Sequence, residues 1–451
     1  MHYKLQPVRF YLVNFFLLVA LGLGLSIRHL VNGALLFLVL TALVYCVVVF
    51  IRRYFRPDQA ITADFAAPRF VYYIFTAFIL YSVYSFVLYW LAEPGVKDRY
   101  ENFFFFVIPL YFLLVKTKLQ VRYLCYALSF SGLAVGLDAL YQVFYLGYAR
   151  AVGTHYAIGF GDMSLLLASF NLLLLLYYPR LWQKLLAVAA SLLACTACFL
   201  SATRGAWLAM PVLFIFIIWV YWRETRYRSQ QNIASHFRFK WILLLAVVVL
   251  SALVFSQQER ISQRWHETTK EIQLYQQGDI QGKSVILRLE MWQVAWHMFT
   301  EHPLFGAGYG SFNKEIHRLY EEKIFNAPEA TQEFLFTFNN AHNQYLEELA
   351  NKGITGLMLL LSVLFLPLIW FVRHLSAVHI NSRIVAYFGV VSVLGFIIFA
   401  VTESVFHRSF LISYYLLLVQ LFMALLHLSI KSIAIKPNSV KPNKKGNLYA
   451  S

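Results

Sequence analysis

The chain has 451 residues, 60% of them hydrophobic and 13% charged, and its 38 Lys and Arg exceed its 22 Asp and Glu by a formal net charge of +16. A soluble globular domain is nearer half apolar and a quarter charged, and a nucleic-acid binder would not combine this basicity with so apolar a composition. Four cysteines in such a length exclude a disulfide scaffold, so the composition specifies an integral membrane protein whose excess positive charge has to be placed.

A membrane-crossing helix needs about 20 mostly apolar residues. On that measure twelve spans are predicted, near 9–27, 30–51, 70–92, 102–115, 121–146, 155–178, 181–200, 205–222, 241–256, 353–372, 384–404 and 409–430. The segment 102–115 is short for a span, and 155–178 carries Asp162. The first apolar segment has no small-residue cleavage site and a second span follows at once, so it reads as a span rather than a removed signal peptide. The expected organisation is all-α and polytopic. Residues 1–256 hold spans one to nine, 257–352 one long extracytoplasmic loop with amphipathic helices, and 353–430 spans ten to twelve. Residues 431–451, rich in Lys, Pro and Asn, form a basic disordered tail.

Twelve spans put both termini on one side, and basic residues decide which. With the N-terminus cytoplasmic, the cytoplasmic segments hold 23 basic and three acidic residues, while the rest of the chain holds 15 basic and 19 acidic. That asymmetry, +20 against −4, predicts that both ends face the cytoplasm.

Few groups carry chemical promise. Asp138 and Asp162 lie inside predicted spans, where a charge is costly and is usually functional or paired; Arg150 or His155 is a natural partner for Asp162. Cys195 and Cys198 form a C-x-x-C inside an apolar run, which fits small core residues better than a redox or zinc pair. Arg204, in Leu200-Ser201-Ala202-Thr203-Arg204-Gly205-Ala206-Trp207, occupies a very short outer turn. It either snorkels to lipid phosphate or serves a site. Arg288 lies on an amphipathic helix over 285–296 that His302-Pro303 ends, and there it either pairs with an acid such as Glu290 or faces a ligand. Gly306-Ala307-Gly308-Tyr309-Gly310 resembles a phosphate loop only superficially, with no preceding strand and no following Gly-Lys-Ser/Thr. In Asn339-Asn340-Ala341-His342-Asn343, either Asn339 or Asn340 can cap a short helix that Glu348 and Lys352 support at i,i+4 and Gly353 ends. His342 then sits in its first turn, where it can face a lipid-linked substrate; its bland alternative is a core or surface histidine. Glu403, His407 and Arg408 in the last outer turn either line the same cavity or form an exposed turn.

Three of these stretches together are specific. His342 to Leu357, read as H-N-x-x-L-x-x-L-x-x-x-G-x-x-G-L, resembles the signature of the O-antigen ligase and polymerase superfamily of bacterial envelopes. Ser201–Trp207 resembles its S-x-x-R-G-A-W turn, and Arg288…Trp292…Pro303-Leu304-Phe305-Gly306-x-Gly308-x-Gly310 its loop pattern. The resemblance implies a GT-C-type glycosyltransferase with one long periplasmic loop in the bacterial inner membrane. It implies transfer of a glycan from undecaprenyl pyrophosphate to an acceptor at the periplasmic face, in contact with membrane lipids and without nucleic acid. By position, Arg204 and Arg288 match the arginines assigned to the donor pyrophosphate and His342 the histidine assigned to catalysis. Arg150 falls where the family often has an outer basic residue. The chemistry is compatible with those roles. Arginine forks can stabilise a departing pyrophosphate, and a histidine can accept the proton of an attacking sugar hydroxyl. No metal and no cofactor is expected, and a single displacement would invert the anomeric centre. Lipid A–core oligosaccharide is the favoured acceptor, making the expected activity an O-antigen ligase of lipopolysaccharide biosynthesis. Polymerisation on the lipid carrier comes second. A protein O-oligosaccharyltransferase usually carries a longer C-terminal region, and a transporter would show an internal repeat.

Overall fold

The computed structural model describes residues 5–27, 29–55, 66–92, 100–117, 119–230, 258–276, 284–325 and 329–434. Among the described residues there is no strand, and nine helices are long and apolar enough to cross a membrane. The chain is therefore a multi-pass membrane protein. In chain order α1 is Leu5–Leu23, α2 Leu30–Phe55, α3 Arg69–Leu91, α4 Val107–Lys116, α5 Val121–Leu140, α6 Ala157–Tyr177, α7 Leu181–Leu200 and α8 Arg204–Gln230. The long loop contributes α9 Gln258–Gln276, α10 Ser284–Glu301, α11 Phe312–Glu321 and α12 Glu329–Leu335. Then come α13 Gln344–Arg373, α14 Ile380–Thr402 and α15 Ser409–Ala434.

The expected count of twelve spans is not reached by these helices. The apolar part of α1 is short, Tyr11–Leu23. The predicted span at 102–115 divides into a 3-10 turn, Tyr100–Phe106, and the ten-residue α4. At 1.5 Å per residue α4 covers about half of the ~30 Å hydrocarbon layer. Pro109 explains the late start, because proline is tolerated in a first turn, where its missing N–H has no partner to lose. The predicted span at 241–256 lies outside the described residues, as does the tail beyond Ala434; Lys431–Ala434 continue α15.

Burial sorts the helices. In α6 and α15, 94% of the apolar window is covered by other parts of the protein, against 33% in α2. Helices apolar on every face belong inside a bundle, and these two form its centre, with α14 packed against both. Small residues set the closest approaches, as expected where lipid and side chain are equally apolar. A Cβ at Gly136 of α5 would lie 2.7 Å from the backbone of Leu193 in α7. Cys195 and Cys198 are free and fully buried in α7, in keeping with their reading as core residues.

One end of the bundle is pinned by an ion pair. Arg383 of α14 donates from Nε and Nη2 to the two oxygens of Glu224 in α8, at 2.6 and 3.0 Å, and Tyr387 donates to the same carboxylate at 2.7 Å. The opposite end carries the loops that shape the site. There a second hydrophobic core, around Met291, Val294 and Met298 of α10 with Phe312 and Ile316 of α11, holds the long loop together and reaches Ala350 of α13.

Candidate functional site

The junction of α7 and α8 places the first cation. Ala202 adopts φ 52°, a left-handed conformation uncommon for alanine, and reverses the chain in three residues. Ser201 Oγ donates to Cys198 O at 2.6 Å, and Thr203 Oγ1 donates to Ala157 O at 2.9 Å, tying the turn to the start of α6. Gly161 and Gly205 leave the room this requires, since a Cβ at either would collide with Ser201, Thr203 or Thr402. Arg204 thereby becomes the first residue of α8, where the free N–H groups and the helix dipole also favour an anion.

Arg204 shares a cavity of about 130 Å³ with Arg150, Arg288, Thr203, Thr402 and Glu271. All three arginines singled out from the sequence therefore meet at one place, although 138 positions separate Arg150 from Arg288. Among the described residues none of the three guanidinium groups makes an ion pair. Burial pushes Arg288 below its ordinary pKa; Glu403 draws it up and the neighbouring Arg204 pushes it down further. An arginine does not deprotonate under these conditions, so the consequence is two like charges held close, with Glu403, Asp162 and Glu271 nearby but none of them in an ion pair with either among the described residues. Such an arrangement favours an anionic ligand. Glu290, the pairing considered for Arg288, instead accepts a hydrogen bond from Tyr320 at 2.8 Å.

His342 stands beside this cavity. The helix cap is Asn343, not Asn339 or Asn340. Its side chain accepts from the N–H groups of Tyr345 and Leu346 at 3.0 and 3.2 Å. Asn340 Oδ1 accepts from His342 N, and Glu347 reaches back to accept from Ala341 N. These bonds hold His342 one residue ahead of the cap rather than in the first turn of the helix. They also impose φ 47°, a strained value for histidine of the kind that clusters at functional sites.

The imidazole Nδ1 lies 3.2 Å from Glu403 Oε2, and Arg408 Nε lies 3.4 Å from Glu403 Oε1. Glu403 is fully buried just beyond the end of α14. Burial alone would raise its pKa. The hydrogen bond and charge of His342, with Arg408 and Arg288, outweigh that effect and hold the carboxyl below its ordinary value. An ionised carboxylate accepts, so Nδ1 carries the proton and Nε2 is left as the basic nitrogen. Thr402 lines the arginine cavity while Glu403, the next residue, holds His342. The cationic pocket and the histidine are thus two walls of one site.

The glycines of the loop and of the His342 segment serve each other. Ala307 N and Gly308 N donate to Ala350 O and Asn351 O, and Ile354 N and Thr355 N donate to Pro303 O and Leu304 O. At the centre of this seam Gly353 breaks α13 with φ 64° and ψ −165°. The Gly306–Gly310 run is therefore a backbone docking strip against α13.

Asp162 is buried in α6, and neither carboxylate oxygen has a hydrogen-bond partner among the described residues. Neither Arg150 nor His155 bonds it; it lies within the electrostatic reach of Glu403 and Arg288. Asp138 accepts from Gln142 at 3.1 Å. Glu403, read from the sequence as either lining the same cavity or part of an exposed turn, is buried beside His342; Glu271 is the group the sequence did not place in the site. An acidic residue at a predicted outer boundary of a span, as at Glu403, was the signal available. Nothing in the pattern of α9 distinguished Glu271.

Comparison with known proteins bears on this same stretch. Residues 189–361 match the O-antigen ligase family, Wzy_C. That match supports the superfamily resemblance carried by the three motifs, and it spans Arg204, Arg288 and His342 but neither Arg150 nor Glu403. The chain is also 25% identical over 352 residues to an uncharacterized protein of Haemophilus influenzae, covering 77% of this chain and 82% of the other. Glu403, outside the matched segment, thus supports His342, which lies inside it.

Proposed function

We propose that the protein is an O-antigen ligase. It would transfer a polysaccharide from undecaprenyl pyrophosphate to a sugar hydroxyl of lipid A–core oligosaccharide, at the periplasmic face of the bacterial inner membrane. The observation that carries this reading is the meeting of Arg150, Arg204 and Arg288 in one cavity beside the His342–Glu403 pair.

The reaction is a single displacement. The acceptor oxygen attacks the anomeric carbon, and the bond from that carbon to the pyrophosphate oxygen breaks. The leaving group carries away the electron pair and gathers negative charge. Arg204, Arg288 and Arg150 stabilise that charge by forked hydrogen bonds, supplying the role a divalent cation would otherwise fill. His342 Nε2 takes the proton of the attacking hydroxyl, and Glu403 stabilises the resulting imidazolium through Nδ1. Attack from the face opposite the leaving group inverts the anomeric configuration. The GT-C architecture and cytoplasmic termini belong to the same proposal.

The test uses purified protein, lipid-linked glycan and lipid A–core acceptor in buffer containing EDTA. Wild type is expected to attach long chains to the acceptor. His342→Ala is expected to lose about 10²- to 10⁴-fold in rate, the usual contribution of a general base. A product that lengthens on the carrier and never reaches lipid A–core identifies a polymerase instead. An undiminished rate in His342→Ala removes the histidine from the mechanism.

A further inference from the structure

Arg150 differs from the other two arginines of the cavity in what holds it. Arg204 opens α8 and Arg288 lies within α10. Arg150 stands instead in the loop between α5 and α6, is exposed, and makes no ion pair among the described residues. A long, unpartnered side chain is aimed by its backbone, so the loop decides whether this guanidinium reaches the cavity.

One side chain governs that loop. A π-helical turn, Tyr141–Tyr145, continues α5 and carries Gln142. Such a turn holds one residue more than an α turn and recurs at functional sites. Gln142 Oε1 accepts from Val152 N and Gly153 N at 2.9 and 3.1 Å, and its Nε2 donates to Gly153 O at 3.0 Å. On the other side of Arg150, Tyr148 N donates to the Gln142 carbonyl at 3.0 Å. Gln142 therefore grips the chain both before and after the arginine. Ala151 N, between those grips, donates to Leu200 O at 2.9 Å, beside the turn that starts α8 and Arg204.

Asp138 gives that amide its direction. It lies four residues earlier on the same helix face, and its Oδ1 accepts the second Nε2 proton of Gln142 at 3.1 Å. With the amide reversed, Oε1 would face the carboxylate and the Gly153 carbonyl, while two N–H groups would face Nε2. Four hydrogen bonds would become four repulsions. Gln142 is itself buried and does not line the cavity, and both its donors and both its acceptor sites are used within the protein. It has nothing left to offer a ligand.

We infer that Gln142, oriented by Asp138, is a positioning residue that holds Arg150 at the arginine cavity and sets its reach to an anion there. The inference rests on the reading of that cavity as a pyrophosphate site, but the positioning is a separate property.

The test reads anion binding before turnover. Isothermal titration of inorganic pyrophosphate into the full chain in nanodiscs is expected to show saturable binding. Arg150→Ala should weaken it about tenfold, as for loss of a hydrogen bond to a charged group. Gln142→Ala should weaken it by the same factor from outside the cavity. The double variant should bind no more weakly than Arg150→Ala alone, because Gln142 acts through Arg150. A general structural role would add its own loss, about a hundredfold in the double variant, and would overturn the inference. Asp138→Asn, which removes the charge that directs the amide, should weaken binding about two- to tenfold, with no further loss beside Arg150→Ala. It carries the test if Gln142→Ala does not fold. Wild-type affinity in Arg150→Ala, in Gln142→Ala or in Asp138→Asn, or no saturable binding by wild type, also overturns the inference. Wild type that binds pyrophosphate through Arg150 and Gln142 but transfers no glycan overturns the functional reading and leaves the positioning standing.

Discussion

At the scale of single residues, the site sets arginines that make no ion pair among the described residues beside one carboxylate, Glu403, that is shared by His342 and Arg408. Glu403 is held below its ordinary pKa, so its stabilising contribution is present above the unfolded carboxylate value of about 4.3. It disappears only as pH falls through the still lower folded value. The Tm difference between wild type and Glu403→Gln, measured by scanning calorimetry in detergent, should accordingly stay constant from pH 8 to pH 5 and shrink below about pH 4.3. Shrinkage already at pH 6 would mean a carboxyl with a raised pKa. The same substitution removes a hydrogen bond to an ionised group, worth about 1.5–3 kcal/mol, so glycan transfer should slow by about 10- to 100-fold. Arg204, Arg288 and His342 were legible in the sequence because each stands in a recognisable local string. Glu403 was legible only as one of two readings, because it lies 61 positions from His342, and only packing reveals that a boundary acid is fully buried. The Glu101–Lys352 bond, 251 positions apart, was invisible for the same reason.

At the scale of elements, apolar runs long enough to span were readable by length alone, while the short ones were not. The 102–115 run is apolar throughout its middle, and only the structure shows it giving a 3-10 turn and a half-length helix. The glycine pattern was readable as a motif but not as a mechanism, because its reason is the meeting of two backbones. Gly353, at φ 64° and ψ −165°, occupies a region that is essentially closed to side-chain-bearing residues, and a Cβ there would lie 2.4 Å from the Leu304 carbonyl carbon. Gly353→Ala should therefore cost at least about 1–3 kcal/mol from backbone strain alone. It should also separate the loop from α13, seen as a lower Tm in detergent and new proteolysis within the loop. Gly33, inside α2 with nothing within 4 Å of an added Cβ, provides the control. Gly33→Ala should be neutral or stabilising by up to about 1 kcal/mol. Equal losses at both positions would remove the docking seam as the explanation.

At the scale of the whole molecule, the Glu224–Arg383 pair and the arginine cavity occupy different ends. Glu224 and Arg383, where α8 meets α14, mark one end, and Arg204, at the start of α8, marks the other with its cavity. α8 leads from the cavity end to the Glu224 end, and the next described helix, α9, brings Glu271 back to the arginine cavity. Glu224 and Glu271 therefore lie at opposite ends; the apolar run expected to span at 241–256 lies outside the described residues. In the proposed topology the basic segments face the cytoplasm at the Glu224 end and the long loop faces the periplasm at the cavity end. Reporter fusions test this directly. A fluorescent protein that matures only in the cytoplasm should be bright after Tyr227 and after Lys431, and alkaline phosphatase, active only outside it, should be active after Gln276. Phosphatase activity after Tyr227, or fluorescence after Gln276, would reverse the sidedness. It would place the arginine cavity on the face where no lipid-linked glycan awaits transfer to lipid A–core, and the ligase reading would fall with it.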